Sequence, residues 1–208
     1  MKYFDNLLPV LERLLKAPPC PVSVDTVKPE VAEAALAVGA HMVNDVTGLA
    51  AGPELARVCA RYGAALCLVH MQGTPATMQE APRYDDLLGA VRARLADAVA
   101  AAEAAGVARD AICVDPGIGF GKKLAHNLTL LKRLDALAPL GKPILVGPSR
   151  KRFIGALLGT EPADRLEGTL AACVMAVQAG VHLLRVHDVA AVRRAVRVAE
   201  AIRDADDG

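Results

Sequence analysis

Tryptophan is absent, and aromatic residues make up only 3% of the 208-residue chain. A core built on large rings is therefore excluded, and Ala, Val, Leu and Ile must fill it. There is no excess of one charge. Lys plus Arg number 24 against 23 Asp plus Glu, a net charge of +1 that provides no field to steer nucleic acid or an acidic membrane. Cysteines number five, an odd count, with no CxxC, which argues against a disulfide framework and for a reducing cytosol, with the thiols serving as small buried apolar groups. No apolar run is long enough to span a membrane, and the opening "MKYFDNLLPV" carries charge inside its apolar pattern, unlike a secretion signal. The expectation is a soluble, cytoplasmic protein. A first βα turn of the form G-x-G-x-x-G is also missing, which removes the usual mark of a dinucleotide-binding sheet.

What is present is one repeating rhythm. Short apolar runs ("PVSV", "HMV", "ALCLV", "AICV", "PILVG", "HLLRV") each lead into an alanine-rich stretch of helical period. These stretches include "PEVAEAALAVG", "PELARVCARYG", "DDLLGAVRARLADAVAAAEAAGV", "NLTLLKRLDALAPLG", "DRLEGTLAACVMAVQAG" and "DVAAVRRAVRVAEAIRD". A leading helix, "FDNLLPVLERLLKA", precedes them and tolerates Pro9 in its first turns. Several helices open on Pro, Asp or Asn and stop at Gly39, Gly63, Gly106, Gly141 and Gly180. Strands alternating with helices imply parallel βαβ units, and without a linker residues 1–208 read as one domain.

Between the two parallel architectures, the strand ends decide. The residues just after the runs are Asp25-Thr26, Asn44-Asp45, His70-Met71-Gln72, Asp115-Pro116-Gly117, Ser149-Arg150-Lys151, and Arg185 with His187-Asp188. Helix N-caps account for one polar residue at each place, not for clusters. Chemistry gathered at the C-terminal ends of strands marks a TIM-type (β/α) barrel. Such a barrel has eight strands over about 250 residues. Only six runs are present here, so the predicted barrel is incomplete.

The candidate side chains form a consistent set. Asp25 ends the first strand several residues before its helix begins, so a site role competes with capping. Asn44 and Asp45 are adjacent, so one faces inward and the other the loop. An amide suits a heterocycle edge, and Asp45 is equally a loop or cap residue. Asp115 can accept two parallel hydrogen bonds from a ligand N–H and amino group. The glycines of "DPGIGFGK" would let a flat ligand approach the backbone, although the same stretch is also what a plain turn would need. Lys151 in "GPSRKRFIG" can donate to a ring carbonyl or an anion, while Arg150 and Arg152 read as surface charges or helix partners. In "RVHD", alternation sends Arg185 and His187 to one side as an anion clamp. Asp188 reads as the N-cap of the last helix or as an orienter of a neighbour. His41, His126 and His182 read as structural. No zinc spacing and no Ser–His–acid set stands out. Two carboxylates and an amide for a flat polar ring, with Arg, His and Lys for an anion, suit a phosphorylated heterocycle handled by positioning and charge stabilisation.

These stretches resemble dihydropteroate synthase, the folate-pathway enzyme targeted by sulfonamides. The matching segments are "PVSVDTVKPEVAEAALAVGAHMVNDVTG", "CLVHMQGTPATMQEAPRYDD", "VDPGIGFGKKLAHNLTLLKRL", "ILVGPSRKRFIG" and "LLRVHDV", in family order. The resemblance implies condensation of 6-hydroxymethyl-7,8-dihydropterin diphosphate with p-aminobenzoate, releasing diphosphate with Mg²⁺ present. It assigns Asp25, Asn44, Asp115 and Lys151 to the pterin, Arg185 and His187 to the diphosphate, and Phe120 with Lys151 to the aminobenzoate. Asp25 and Lys151 would be the catalytic pair. It further implies a homodimer formed through late helices, with "TLAACVMAVQAG" at the interface. The family's first two strands and their loops, an N-V-T-P-D-S-F-like one whose Asn serves the metal and a D-I-G-G-E-S-T-R-P-like lid, do not occur here. The resemblance thus implies a chain lacking that N-terminal part: a fragment or misplaced start, a short paralogue that binds pterin without turnover, or a subunit completed by another chain.

Overall fold

The structure, a computed structural model, describes residues 2–74, 76–78 and 80–205. It divides into two compact units, one of residues 1–70 and 93–114, the other of residues 71–92 and 115–208. In chain order the elements are α1 (Lys2–Leu14), β1 (Ser23–Asp25), α2 (Pro29–Ala37), β2 (Met42–Asp45), α3 (Glu54–Tyr62), β3 (Ala65–Val69), α4 (Leu87–Ala104) and β4 (Ile112–Asp115). They continue with α5 (Leu124–Lys132), β5 (Leu145–Val146), α6 (Arg152–Leu158), α7 (Leu166–Gln178), β6 (Leu183–Leu184) and α8 (Val189–Arg203). All six predicted strands form where apolar runs were found, and none extends far beyond its run.

In the first unit β1, β2, β3 and β4 lie side by side in that order. The β1–β2 and β2–β3 pairs are parallel, with Val24 opposite Val43 and Val43 opposite Leu66. Short β-branched and leucine runs suit strands covered on both faces, and Val43, Leu66 and Leu68 are fully buried. Helix α2 begins on Pro29, whose missing N–H is no loss at a first turn. Its small Ala32 and Ala35, both fully buried, let the helix sit close to its neighbours. Burying one leucine such as Leu66 contributes about 1.5–3 kcal/mol, so alanine, valine and leucine suffice for this core.

In the second unit β5 and β6 pair in parallel through Leu145–Leu183 and Val146–Leu184. Leu130, Leu134, Leu137, Ile154, Cys173 and Ala176 supply buried apolar surface. The long helix expected over residues 127–141 instead starts at Leu124 and ends at Lys132, and a 3₁₀ stretch then carries the chain from Leu134 to Leu140. Pro139 lacks the N–H that a continuing α-helix would need. Helix α6 begins within the cationic "GPSRKRFIG" segment, at Arg152, and runs on to Leu158. It has only seven residues, too few to display a period.

The two units share one local device. Val22 N–H donates to Nδ1 of His41 at 3.1 Å, and His41 N–H donates back to the Val22 carbonyl at 2.9 Å. Ile144 and His182 repeat it at 3.2 and 3.0 Å. Both histidines thus tie the beginnings of paired strands together, the structural role expected of them.

Candidate functional site

Within the first unit, the side chains at the ends of β1 and β2 meet. Asn44 Nδ2 donates to Asp25 Oδ1 at 2.7 Å. Asn44 is 3% exposed, and its Oδ1 is buried with no hydrogen-bond partner among the described residues. A buried acceptor left open is costly unless a ligand N–H fills it. The Asn44–Asp45 alternative resolves through Asp45, whose carboxylate is spent on its own loop. It accepts from Thr47 N and Thr47 Oγ1 at 2.8 and 2.7 Å, and from Leu49 N at 2.7 Å. Asp25 is not the N-cap residue of α2, which begins after Lys28, and the Lys28 N–H donates to Thr26 Oγ1 at 3.1 Å.

The second unit carries the larger cluster. Asp115 is 1% exposed. Its Oδ1 accepts the Gly117 N–H at 2.7 Å, and its Oδ2 stands 3.7 Å from Arg185 Nη2. Burial pushes the Asp115 carboxyl above the ordinary carboxylate range, and the Gly117 N–H with the Arg185, Lys151 and Lys122 charges opposes that rise. Lys151 Nζ lies over the Phe120 ring, 4.2 Å from its centre, a cation–π contact. His187 Nδ1 is 2.9 Å from Ser149 Oγ, and His187 N–H donates to the same oxygen at 3.2 Å.

The glycines between Asp115 and Lys122 meet a steric demand. Gly119 has φ +83°, and a Cβ there would come within 3.2 Å of Lys151 Cδ. Gly121 has φ +59°, and its Cβ would meet the Gln72 carbonyl at 2.6 Å. Three further groups pin the loop. Asn127 Oδ1 accepts the Gly119 N–H at 2.7 Å, Tyr84 OH donates to the Gly121 carbonyl at 2.9 Å, and Lys122 Nζ donates to the Phe120 carbonyl at 2.9 Å. This stretch is a built loop, which a plain turn would not require.

Lys122 was not singled out by sequence reasoning, because "GKK" reads as a solvated pair. It is 4% exposed, and burial lowers its pKa to about 7, with Asp115 opposing the shift and Lys151 adding to it. Asn127 and Tyr84 were missed because nothing in their sequence neighbourhood marks the loop atoms they hold. Arg150, expected to be a surface charge or helix partner, is partly exposed and forks onto Asp188 at the start of α8. Asp188 occupies the N-cap position of α8, one of its two expected roles, and its side chain takes Arg150 rather than a helix N–H, which is the other. A cleft of about 750 Å³ opens beside Lys151, with Lys122, Lys123, Asn127, Arg152 and Arg165 also in its walls and no acid among them. It therefore favours an anionic or electron-rich guest. Among the described residues no group of three His, Cys, Asp or Glu side chains is placed to hold a metal ion.

Residues 3–187 match the family described as pterin binding enzyme. The chain is 44% identical over 202 residues to dihydropteroate synthase of Escherichia coli K12, covering 97% of this chain and 71% of that protein. The crystal structure of dihydropteroate synthase from Thermus thermophilus in complex with 6HMPPP superposes with a TM-score of 0.92 at 50% identity, over 97% of this chain and 80% of that one. The same enzyme in complex with 4-aminobenzoate gives 0.89 at 51% identity, over 96% and 80%. The fold is accordingly α/β, an incomplete TIM-type (β/α) barrel with six parallel strands among the described residues. The chain belongs to the dihydropteroate synthase family of pterin-binding enzymes.

Proposed function

We propose that the chain binds 6-hydroxymethyl-7,8-dihydropterin diphosphate and condenses it with p-aminobenzoate. The observation that carries this reading is a buried carboxylate, Asp115, set 3.7 Å from Arg185, with Lys151 stacked on Phe120 in the same unit. Asp25, Asn44, Asp115 and Lys151 serve the pterin, Arg185 and His187 the diphosphate, and Phe120 with Lys151 the aminobenzoate. The open Oδ1 of buried Asn44 supports an N–H-bearing ring as ligand. Residues 1–208 act as one pterin-binding domain.

The chemistry asks little of any one side chain. The aromatic amine is neutral near pH 7, and its lone pair forms the new C–N bond at the pterin methylene. The C–O bond to diphosphate breaks, and its electron pair leaves with the diphosphate. One amine proton passes to solvent or to the released anion. Arg185 and His187 stabilise the charge gathering on the leaving group, and the Asp25 carboxylate stabilises the cationic methylene. The resemblance brings Mg²⁺ as the family's ion. Among the described residues no group of three His, Cys, Asp or Glu side chains fits a protein-held metal.

Exposed apolar side chains on the late helices, Met175 of α7 and Val189, Val198 and Ile202 of α8, support a homodimer joined there. Five free thiols support a reducing, cytoplasmic setting, and no helix among the described residues is long and apolar enough to cross a membrane. A second reading is pterin binding without turnover by this chain alone, which spans 71% of the E. coli enzyme's length. Steady-state synthesis of dihydropteroate by the purified chain separates the two. Turnover establishes the transferase, ligand binding without turnover leaves the binding subunit, and neither in a folded chain removes both.

A further inference from the structure

Arg150 has left-handed backbone, φ +56°, without being Gly, Asn or Asp. Such a conformation persists only where surrounding groups hold it. Here backbone and side chain are both held. Arg150 N–H donates to Thr169 Oγ1 at 3.1 Å, and its carbonyl accepts from Arg165 Nη1 at 3.0 Å. Its Nε and Nη2 donate to the two carboxylate oxygens of Asp188 at 3.0 and 2.7 Å, a bidentate fork. Thr169 is fully buried and donates to the Arg165 carbonyl at 2.8 Å, and Arg165 donates twice to the Thr160 carbonyl.

The fork does not stand alone. The β5–β6 ladder ends at Val146 and Leu184, with one further bond from Arg185 N–H to the Val146 carbonyl. Beyond it, side chains continue the pairing: Ser149 with His187, then Arg150 with Asp188. The residues so tied adjoin Lys151 on one loop and include or adjoin Arg185 and His187 on the other.

We propose that Arg150 and Asp188 are positioning residues that lock the Lys151 loop to the Arg185–His187 loop, so that the grip on the ring and the grip on the diphosphate keep a fixed separation. The ligand assignment rests on the proposed function; the mechanical tie does not.

Hydrogen exchange reads the tie with no ligand present. Asp188→Asn removes the charge while keeping the shape. It raises exchange at the Lys151 and His187 amides together, by about tenfold, the scale of losing one coupled contact. Unchanged exchange at Lys151 overturns the tie whatever the chain binds. Calorimetry with 6-hydroxymethyl-7,8-dihydropterin diphosphate and with its unphosphorylated alcohol reads the consequence. Arg150→Met and Asp188→Asn each weaken the diphosphate form by about tenfold, and the double variant loses no more than the worse single one. The alcohol is affected far less, and Arg150→Lys recovers part of the loss. Equal losses for both ligands, or additive losses in the double variant, overturn the proposal. A wild-type chain that binds neither ligand refutes the proposed function instead, and the exchange result still decides the tie. Where Arg150→Met fails to fold, Asp188→Asn alone carries the test.

Discussion

Arg185 Nη2 stands 3.7 Å from Asp115 Oδ2 while Asp115 Oδ1 holds the Gly117 N–H. The carboxylate is almost wholly buried, and the guanidinium is partly open to solvent. One side chain is therefore fixed for recognition, and the other reaches from it toward solvent.

That burial makes Asp115 expensive. Its carboxyl is held above the usual range, so the folded chain keeps the proton to higher pH than the unfolded chain does. Stability is then lost as pH rises through the folded value. Asp115→Asn stays neutral and escapes this loss, while its amide oxygen still accepts from Gly117. The variant is expected to melt no lower than wild type at pH 7, with its relative stability falling as pH is lowered toward 4. Thermal melts across that range check it, and a lower melting temperature at pH 7 contradicts it.

Lys122 gives the complementary pH signature. Its pKa is about 7 in the folded chain against an ordinary 10.5, so the unfolded chain binds more protons between those values. The cost of burying it is full below about pH 7 and shrinks as pH rises toward 10.5. Lys122→Met removes that dependence. Its stability relative to wild type is expected to fall by about 2 kcal/mol between pH 7 and pH 9. Denaturant titrations of both proteins at the two pH values test this, and a constant difference contradicts it.

Gly121 is irreplaceable for two reasons, its φ of +59° and the 2.6 Å approach of any Cβ to the Gln72 carbonyl. Gly121→Ala should cost about 1–3 kcal/mol, read as a lower denaturation midpoint with unchanged slope. A neutral effect would mean that the loop relaxes more freely than these contacts imply.

Much of this was legible in the sequence, and the reasons are local. Ala65–Val69 forms the strand its unbroken apolar run predicts. The left-handed Gly63 and Gly141 end their helical segments where the pattern stopped. Asp115, Lys151, Arg185 and His187 are legible as candidates because they end or follow apolar runs. The supporting groups were not legible. Thr169 and Arg165 lie on or beside α7, and nothing in their own neighbourhood marks them as partners of Arg150. Lys122 looks solvated in sequence but is buried in the fold, its ammonium donating to the Phe120 carbonyl. Arg150 could not be separated from Arg152 by composition; its left-handed backbone and its carboxylate partner distinguish it.

The most direct test is a calorimetric titration of Asp115→Asn and Arg185→Gln against the pterin alcohol and its diphosphate. Asp115→Asn is expected to weaken both ligands alike, by about tenfold or more for a lost charged hydrogen bond, and Arg185→Gln to weaken chiefly the diphosphate. Folded variants that bind both ligands as wild type does, or an Arg185→Gln loss equal for the two, would contradict it.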